Sequence, residues 1–223
     1  MPRTLYLLRH AETLFNVQHK TQGWCDSPLT ERGIEQARIA GRVMAERGMA
    51  FDHAYSSTSE RCCDTLEIAT REAFGEPLPY SRQKGLREIG FGVFEGKDDC
   101  LEPRGTRGEW YGRFGGETDD VATRRIVECL SDIMARPGHQ SVLAVTSGGI
   151  SRLFFVANQA TAQDRPRLYC NCIAYVYEWD DGVFTCKEVV VPDLSSLERP
   201  GLPRQVRVAP ANLSQPWTDT AAL

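Results

Sequence analysis

The sequence predicts an α/β fold, a three-layer sandwich whose mostly parallel central sheet carries helices on both faces. Three observations lead to this prediction. Short apolar runs alternate with amphipathic helical patterns along the chain, which is typical of a parallel sheet. The run Leu5 to Leu8 reads as a buried strand, as expected in a sheet covered on both faces. The chain has 223 residues, enough to bury one large core.

Each predicted element has local signals at its ends. Thr30 can cap a helix that Gly48 ends, and Ser59 can start a helix that Gly75 and Pro77 stop. The predicted helices cover about residues 30–47, 59–74, 118–135 and, after a Ser-Gly-Gly turn, 149–159. The predicted strands are 5–8, 51–55, 141–146, 173–179 and 184–190.

Composition excludes several classes of protein. The formal net charge is −4, which argues against a general binder of nucleic acid or anionic membranes. No apolar run approaches the roughly 18 to 20 residues of a membrane span, and the N-terminus lacks a secretory pattern, so we expect a cytoplasmic protein. The eight cysteines include no Cys-x-x-Cys pair and histidines number four, so we predict reduced thiols and no metal site.

The chain changes character near its C-terminus. Prolines recur among polar and small residues from Pro192 onward, and this density of proline prevents a continuous helix or a central strand. We therefore divide the chain into a catalytic domain, residues 1–191, and an extended tail, residues 192–223. The tail could be a packed or loose terminus, a substrate lid or a dimer arm.

Arg9 and His10 stand side by side where the first apolar run ends. Strands of open α/β sheets present ligands at their carboxyl ends. A neutral imidazole is a competent nucleophile near pH 7, and a guanidinium matches phosphate oxygens. The pair therefore suggests phosphoryl transfer through a phosphohistidine, although a histidine that merely follows a strand is the plain alternative.

Further short motifs follow this pair in a fixed order. They are Leu7 to Thr13; Asn16, Gly23, Asp26 and 28–30; Gly33 and 36–37; 56–57 with Arg61; 86–88; 91–92; 95–96; 115–117; 145–149; and Asn171. Over about residues 3 to 190 this order closely resembles the histidine phosphatase superfamily, the phosphoglycerate mutase-like clan. The stretch 91–96 is similar to the phosphatase branch of that family.

The resemblance implies a set of site residues. His10 would be the nucleophile, Arg9 and Arg61 would bind the phosphoryl oxygens, and Glu88 would protonate the leaving oxygen and then activate water. The expected phosphate-binding residues are Asn16, Gln22, Gly23 and Gly148, and the amides of 148–149 could form an anion nest. The resemblance also places Glu12 as a support of the loop and Glu117 at a helix N-terminus. No metal or organic cofactor is implied.

One position departs from the family pattern. The family carries a second histidine where this chain has Ser147, and that histidine helps to hold the transferring phosphoryl group. Losing one preorganised donor commonly costs about 10² to 10³ in turnover. We therefore expect a weakened but active site, or one adapted to a substrate that brings fewer charges, with Ser147 as a remaining hydrogen-bond donor.

These expectations define the predicted function. We expect a phosphomonoester hydrolase that acts on a small phosphorylated metabolite, because the segment between Glu88 and Gly115 is short and an open mouth admits water. A phosphoglycerate mutase-type phosphotransferase is one alternative. An inactive module that binds a phosphate ligand is the other. The sequence leaves the oligomeric state open, a homodimer included.

Overall fold

A six-stranded mixed sheet lies at the centre of the protein, in a computed structural model that describes residues 2–101, 109–158, 168–197, 207–208 and 218–219. The strands are β1 (Arg3–Arg9), β2 (His53–Ser57), β3 (Ser81–Gln83), β4 (Ser141–Thr146), β5 (Leu168–Tyr169), β6 (Ala174–Asp180), β7 (Val183–Val190), β8 (Arg207–Val208) and β9 (Thr218–Asp219). The α-helices are α1 (Leu14–Val17), α2 (Glu31–Glu46), α3 (Glu60–Phe74), α4 (Asp119–Met134) and α5 (Gly148–Ala157).

The central sheet has the strand order β3-β2-β4-β1-β6-β7. The pairs β2–β3, β2–β4 and β1–β4 are parallel, whereas β1–β6 and β6–β7 are antiparallel. Three of the five pairings are thus parallel, and the predicted α/β class is confirmed. Because the four parallel strands run in one direction, their carboxyl ends lie at one edge of the sheet.

Helices cover both faces of the sheet, as the strand sequences require. In β1, Leu5 and Leu7 join a core cluster that includes Ile126 of α4 and Phe154 of α5. Leu8 points to the opposite face and joins a cluster that includes residues of α2 and α3. Alternate side chains of one buried strand therefore pack into two separate cores, which makes the three layers.

The local signals at helix ends behave as predicted. Thr30 Oγ1 accepts a hydrogen bond from the amide of Gly33 at the start of α2, and Gly75 ends α3 with a φ of +87°. Glu12 supports this region, since it accepts from Thr30 Oγ1 at 2.7 Å and pairs with Arg32 at 2.8 Å. The end of the last predicted helix, at 159, lies outside the described residues.

Some elements were not predicted from the sequence. They are the short helix α1, the three-residue strand β3 and a small antiparallel sheet in the order β5-β8-β9. Most of the proline-rich tail lies outside the described residues, so the boundary at 191/192 stays a prediction. In the described part of the chain, no helix is long and apolar enough to cross a bilayer.

Candidate active site

The predicted site residues gather around the turn that joins β4 to α5. Arg9 ends β1, and the amide of His10 donates to the carbonyl of Thr146, the last residue of β4, at 2.9 Å. Ser147 follows as the N-cap of α5. Arg61 lies in the first turn of α3, directly beyond the end of β2. The carboxyl edge of the sheet therefore brings residues that are far apart in sequence to one place.

His10 is held with one ring nitrogen available. Its Nδ1 lies 2.7 Å from the carbonyl oxygen of Ala11. Because that oxygen can only accept, Nδ1 carries the proton and Nε2 keeps its lone pair. Burial lowers the pKa of His10 well below its usual value, and the charges of Arg61 and Arg9 lower it further. The imidazole is therefore neutral at pH 7, as a nucleophile must be.

Arg61 is fully buried and donates four hydrogen bonds to the protein. Its Nη1 donates to the carbonyl of Cys25 at 3.0 Å and to Asp26 Oδ1 at 2.8 Å. Its Nη2 donates to the carbonyl of Gly23 at 2.8 Å and to Ser147 Oγ at 3.2 Å. The sequence did not predict that two carbonyls and the Asp26 carboxylate of the loop 23–26 bind the guanidinium of Arg61. Of the three guanidinium nitrogens of Arg61, only Nε has no acceptor among the described residues.

Arg9 approaches the site from the other side. A Cβ built on Gly148 would lie 2.8 Å from Arg9 Nε and 3.1 Å from its Cζ. The guanidinium of Arg9 therefore packs directly on the backbone at the start of α5, and any side chain at position 148 would displace it. Gly148 contributes to the site mainly by giving Arg9 this space.

Glu88 binds the N-terminus of α5 through its carboxylate. Oε1 accepts from the amides of Ile89 at 2.8 Å and Ile150 at 2.7 Å, and Oε2 accepts from the amide of Gly149 at 2.7 Å. A helix N-terminus favours a negative charge at this point. The amide nest expected to receive a substrate anion thus has its Gly149 amide occupied by Glu88.

Asn16 lies in the short helix α1 and is linked to His10 through Asn171. Its Oδ1 accepts from the amide of Thr13 at 3.2 Å and from Asn171 Nδ2 at 3.3 Å. The same Asn171 nitrogen donates to the carbonyl of His10 at 3.1 Å. The two asparagines therefore join α1 to the backbone of His10.

Gln22 and Gly23 hold the loop together in this structure. Gln22 Oε1 accepts from Thr13 Oγ1 at 2.7 Å, and its Nε2 donates to Ser27 Oγ at 3.0 Å. The amide of Gly23 donates to Glu95 Oε2 at 3.1 Å. The Gly23 amide that we expected to bind phosphate is therefore engaged by a carboxylate.

The comparison with known proteins decides the family. The model of the histidine phosphatase superfamily, branch 1, matches residues 5–192. The chain belongs to this superfamily. The resemblance noted in the sequence is thereby confirmed, and the family accounts for nearly all of the described fold.

Relatives within the superfamily include a mutase and a phosphatase. The chain is 31% identical over 180 residues to a 2,3-bisphosphoglycerate-dependent phosphoglycerate mutase of Beijerinckia indica, covering 75% of this chain and 87% of that protein. It is 32% identical over 149 residues to a broad-specificity phosphatase of Saccharomyces cerevisiae, covering 65% of each. The structure of phosphoglycerate mutase from Bacillus anthracis str. Sterne matches with a TM-score of 0.72 and 25% identity, covering 87% of this chain and 94% of that one.

Glu95 is a site residue to which the sequence gave no role. Its carboxylate accepts from the amides of Gly23, Trp24, Cys25 and Phe91 at 3.1, 2.8, 3.0 and 3.0 Å. Burial raises the pKa of Glu95, but hydrogen bonds from the Cys25 thiol and these amides outweigh it and lower the pKa. The loop 23–26 is thus bound from two sides, its amides by Glu95 and its carbonyls by Arg61.

Arg125 and Glu117 form a second support that the sequence did not reveal. Arg125 pairs with both carboxylate oxygens of Glu117, at 2.8 and 2.7 Å, and donates to three carbonyls within 85–88. Glu117 also accepts from the amide of Gly90 at 2.9 Å. Glu117 lies just before α4 as expected, yet its main contacts hold the segment that carries Glu88.

The described part of the chain contains no group of three or more His, Cys, Asp or Glu side chains that could hold a metal ion. The eight cysteines all lie in that part, and no disulfide joins them. Arg61 and Arg9 are positive charges at the site, and both lower the pKa of His10.

Proposed function

We propose that the protein is a phosphomonoester hydrolase that acts through a phosphohistidine at His10. The observation that carries this proposal is the state of the imidazole. Its Nδ1 proton is bound to Ala11, its charge is suppressed by burial and by two arginines, and its Nε2 lone pair remains for attack. This is the arrangement that nucleophilic catalysis by histidine requires.

In the first proposed step, Nε2 of His10 attacks phosphorus and the bond to the ester oxygen breaks. Glu88 enters this step protonated and gives its proton to the departing oxygen. The three amides that bind its side chain then stabilise the carboxylate that remains. In the second step, water attacks phosphorus, the bond to Nε2 breaks and Glu88 takes the proton from the water. Inorganic phosphate leaves and both residues return to their starting states.

The arginines stabilise the charge on the transferring oxygens. Arg9 lies against the start of α5, beside the turn on which Glu88 is bound. Arg61 offers its buried Nε, and it can exchange the neutral acceptor Ser147 Oγ, 3.2 Å away, for a charged phosphoryl oxygen. Ser147 would then donate its own proton to the phosphoryl group.

Hydrolysis is favoured over phosphoryl exchange by the short segment between Glu88 and Gly115, which leaves the intermediate open to water. The mutase relative makes exchange the second candidate. The loss of the second histidine at Ser147 favours a third, a module that binds a phosphate ligand without turnover. We further propose that the substrate is a small phosphorylated metabolite and that no cofactor takes part. We also propose that the protein is cytoplasmic, and a homodimer is compatible with this function.

A panel of phosphomonoesters, assayed with the wild type and with His10→Ala, tests the proposal. Hydrolysis predicts that at least one ester releases phosphate only when His10 is present. Interconversion of phosphoglycerates with slow phosphate release would instead establish the mutase. Ester binding without product of either kind would establish the binding module.

A further inference from the structure

Arg87 is a third arginine at the active-site edge, beside Arg9 and Arg61, and its contacts differ from those of Arg61. Its Nε donates a short hydrogen bond to Thr58 Oγ1, between β2 and α3. Its guanidinium carbon lies 5.5 Å from the ring centroid of Trp24. Among the residues that the structure describes, neither terminal nitrogen of Arg87 has a hydrogen-bond acceptor. The Thr58 hydrogen bond and the Trp24 ring thus fix the orientation of the guanidinium, and its two terminal nitrogens can bind a ligand.

Trp24 links the guanidinium of Arg87 to the backbone of Glu88. Its indole Nε1 donates to the carbonyl of Glu88 at 3.0 Å, and the Trp24 side chain is 50% exposed. The carbonyls on either side of Trp24, those of Gly23 and Cys25, accept from Arg61. Arg87 is therefore connected through Trp24 of the loop 23–26 to Glu88, the residue that would protonate the leaving oxygen.

We propose that Arg87 determines specificity by binding an anionic group on the leaving alcohol of the substrate. The assignment rests on the proposed function, because it concerns the leaving group of that reaction. A guanidinium whose Nε is already held presents its terminal nitrogens as a planar fork, which matches a carboxylate or a second phosphate. Trp24 supports the fork by a cation–π contact and keeps it from folding onto the protein.

The position of Arg87 explains why it would read the leaving group and not the transferring phosphoryl group. Arg9 and Arg61 flank His10, and their charges lower the pKa of that imidazole. Arg87 has no such effect on His10, and its neighbours are Thr58, Trp24 and the backbone of Glu88. Trp24 links Arg87 to the acid, because its ring faces the guanidinium and its Nε1 donates to the carbonyl of Glu88.

Two esters of matched size test the assignment: 2-phosphoglycolate, whose leaving alcohol carries a carboxylate, and 2-hydroxyethyl phosphate, whose leaving alcohol carries a hydroxyl. We expect the wild type to prefer phosphoglycolate by at least about 10-fold in kcat/KM. Arg87→Gln should lower kcat/KM for phosphoglycolate by roughly 10- to 100-fold, the size of a lost charge-assisted contact, and change the neutral ester by less than about threefold.

Two further variants sharpen the test. Arg87→Lys keeps the charge and loses the fork, so it should restore part of the preference. Arg82→Gln is the matched control and should leave both esters unaffected, because Arg82 lies on β3 and binds Glu60 at the start of α3.

The outcomes separate this assignment from the proposed function. An equal loss on both esters, or no preference in the wild type, would overturn the role of Arg87 while His10-dependent hydrolysis of p-nitrophenyl phosphate still supports the enzyme. Absence of His10-dependent hydrolysis of all three esters would overturn both.

Discussion

Two buried histidines in this protein show what separates a structural imidazole from a reactive one. His10 and His139 are each 4% exposed, and burial lowers the pKa of both. Nδ1 of His139 donates to the carbonyl of Pro137 at 3.2 Å, and its Nε2 accepts from the Tyr55 hydroxyl at 2.7 Å. Its ring stacks on His53 with centroids 3.6 Å apart. Both of its nitrogens are therefore used.

His10 differs in two respects. Within the described residues, only its Nδ1 has a hydrogen-bond partner, and its neighbours include two arginines. His139 lies just before β4, at the amino end of that strand, whereas His10 follows the carboxyl end of β1. Burial alone thus does not indicate catalysis. The feature that favours a catalytic role is a ring nitrogen without a hydrogen-bond partner in the described residues, close to two arginines at the carboxyl edge of the sheet.

Replacing each histidine by alanine would expose the contrast most strongly. His10→Ala removes the nucleophile and should lower kcat/KM by at least about 10⁴-fold. His139→Ala leaves the proton of the Tyr55 hydroxyl without its acceptor, although Arg136 still donates to that oxygen. It should cost about 1–3 kcal/mol of unfolding free energy, with kcat within a few-fold of wild type. Phosphate release and urea denaturation measure the two effects. A large loss of activity in His139→Ala would break the comparison.

A second pair, Glu88 and Glu95, extends the comparison to carboxylates that both accept backbone amides. Glu88→Gln removes the proton donor and should slow hydrolysis of alkyl phosphates by about 10² to 10⁴-fold. Aryl phosphates, whose leaving groups need no proton, should lose much less. Glu95→Gln loosens the loop 23–26 and should affect both ester classes equally. If Glu88→Gln also showed no dependence on the leaving group, the assignment of Glu88 as acid would fail.

The substitution at Ser147 offers a smaller effect of opposite sign. Ser147→His would place a second imidazole next to Arg61 and add a donor to the transferring oxygens. We expect turnover or phosphate affinity to rise by roughly 10- to 100-fold. Steady-state kinetics and inhibition by inorganic phosphate report the change, with Ser147→Ala as the control without a donor. Unaltered turnover and phosphate affinity would show that position 147 does not limit the site.

The smallest expected effect is in the pH dependence of stability. Because the pKa of His10 is depressed in the folded state, the unfolded chain binds its proton first as the pH falls below about 6.5. Unfolding free energy is therefore lost on acidification, by up to about 1.4 kcal/mol per pH unit for one group. His10→Gln should flatten this loss between pH 6.5 and 5, and His139→Gln should flatten it less. Urea denaturation across this range measures the slopes, and a steeper slope in His10→Gln would contradict the account.

The sequence predicted those parts of the molecule that local patterns specify. Thr30 and Gly75 mark helix ends by their own chemistry. The family resemblance implied that His10 and position 147 act on the same phosphoryl group, and the parallel pairing of β1 with β4 brings the ends of these strands together. The strand β3 is short and polar, and only its pairing with β2 identifies it.

The supports of the site were not predictable, because they depend on contacts between irregular segments. Glu95 binds amides of a loop about 70 residues earlier in the chain, and no periodic pattern connects the two. The same holds for Glu88, whose carboxylate takes an amide of α5 that we had expected to face the substrate. Arg87 was given no role of its own, because the resemblance assigned a function within 86–88 only to Glu88.

The most direct test of the account is to trap the covalent intermediate. The wild type is mixed with a phosphomonoester that it hydrolyses, the reaction is stopped in base within milliseconds to seconds, and the site of added phosphate is located by mass spectrometry. The account predicts an acid-labile phosphoryl group on the imidazole of His10, retained in His139→Ala and absent from His10→Ala. Phosphate on any other residue, or hydrolysis that persists in His10→Ala, would contradict it.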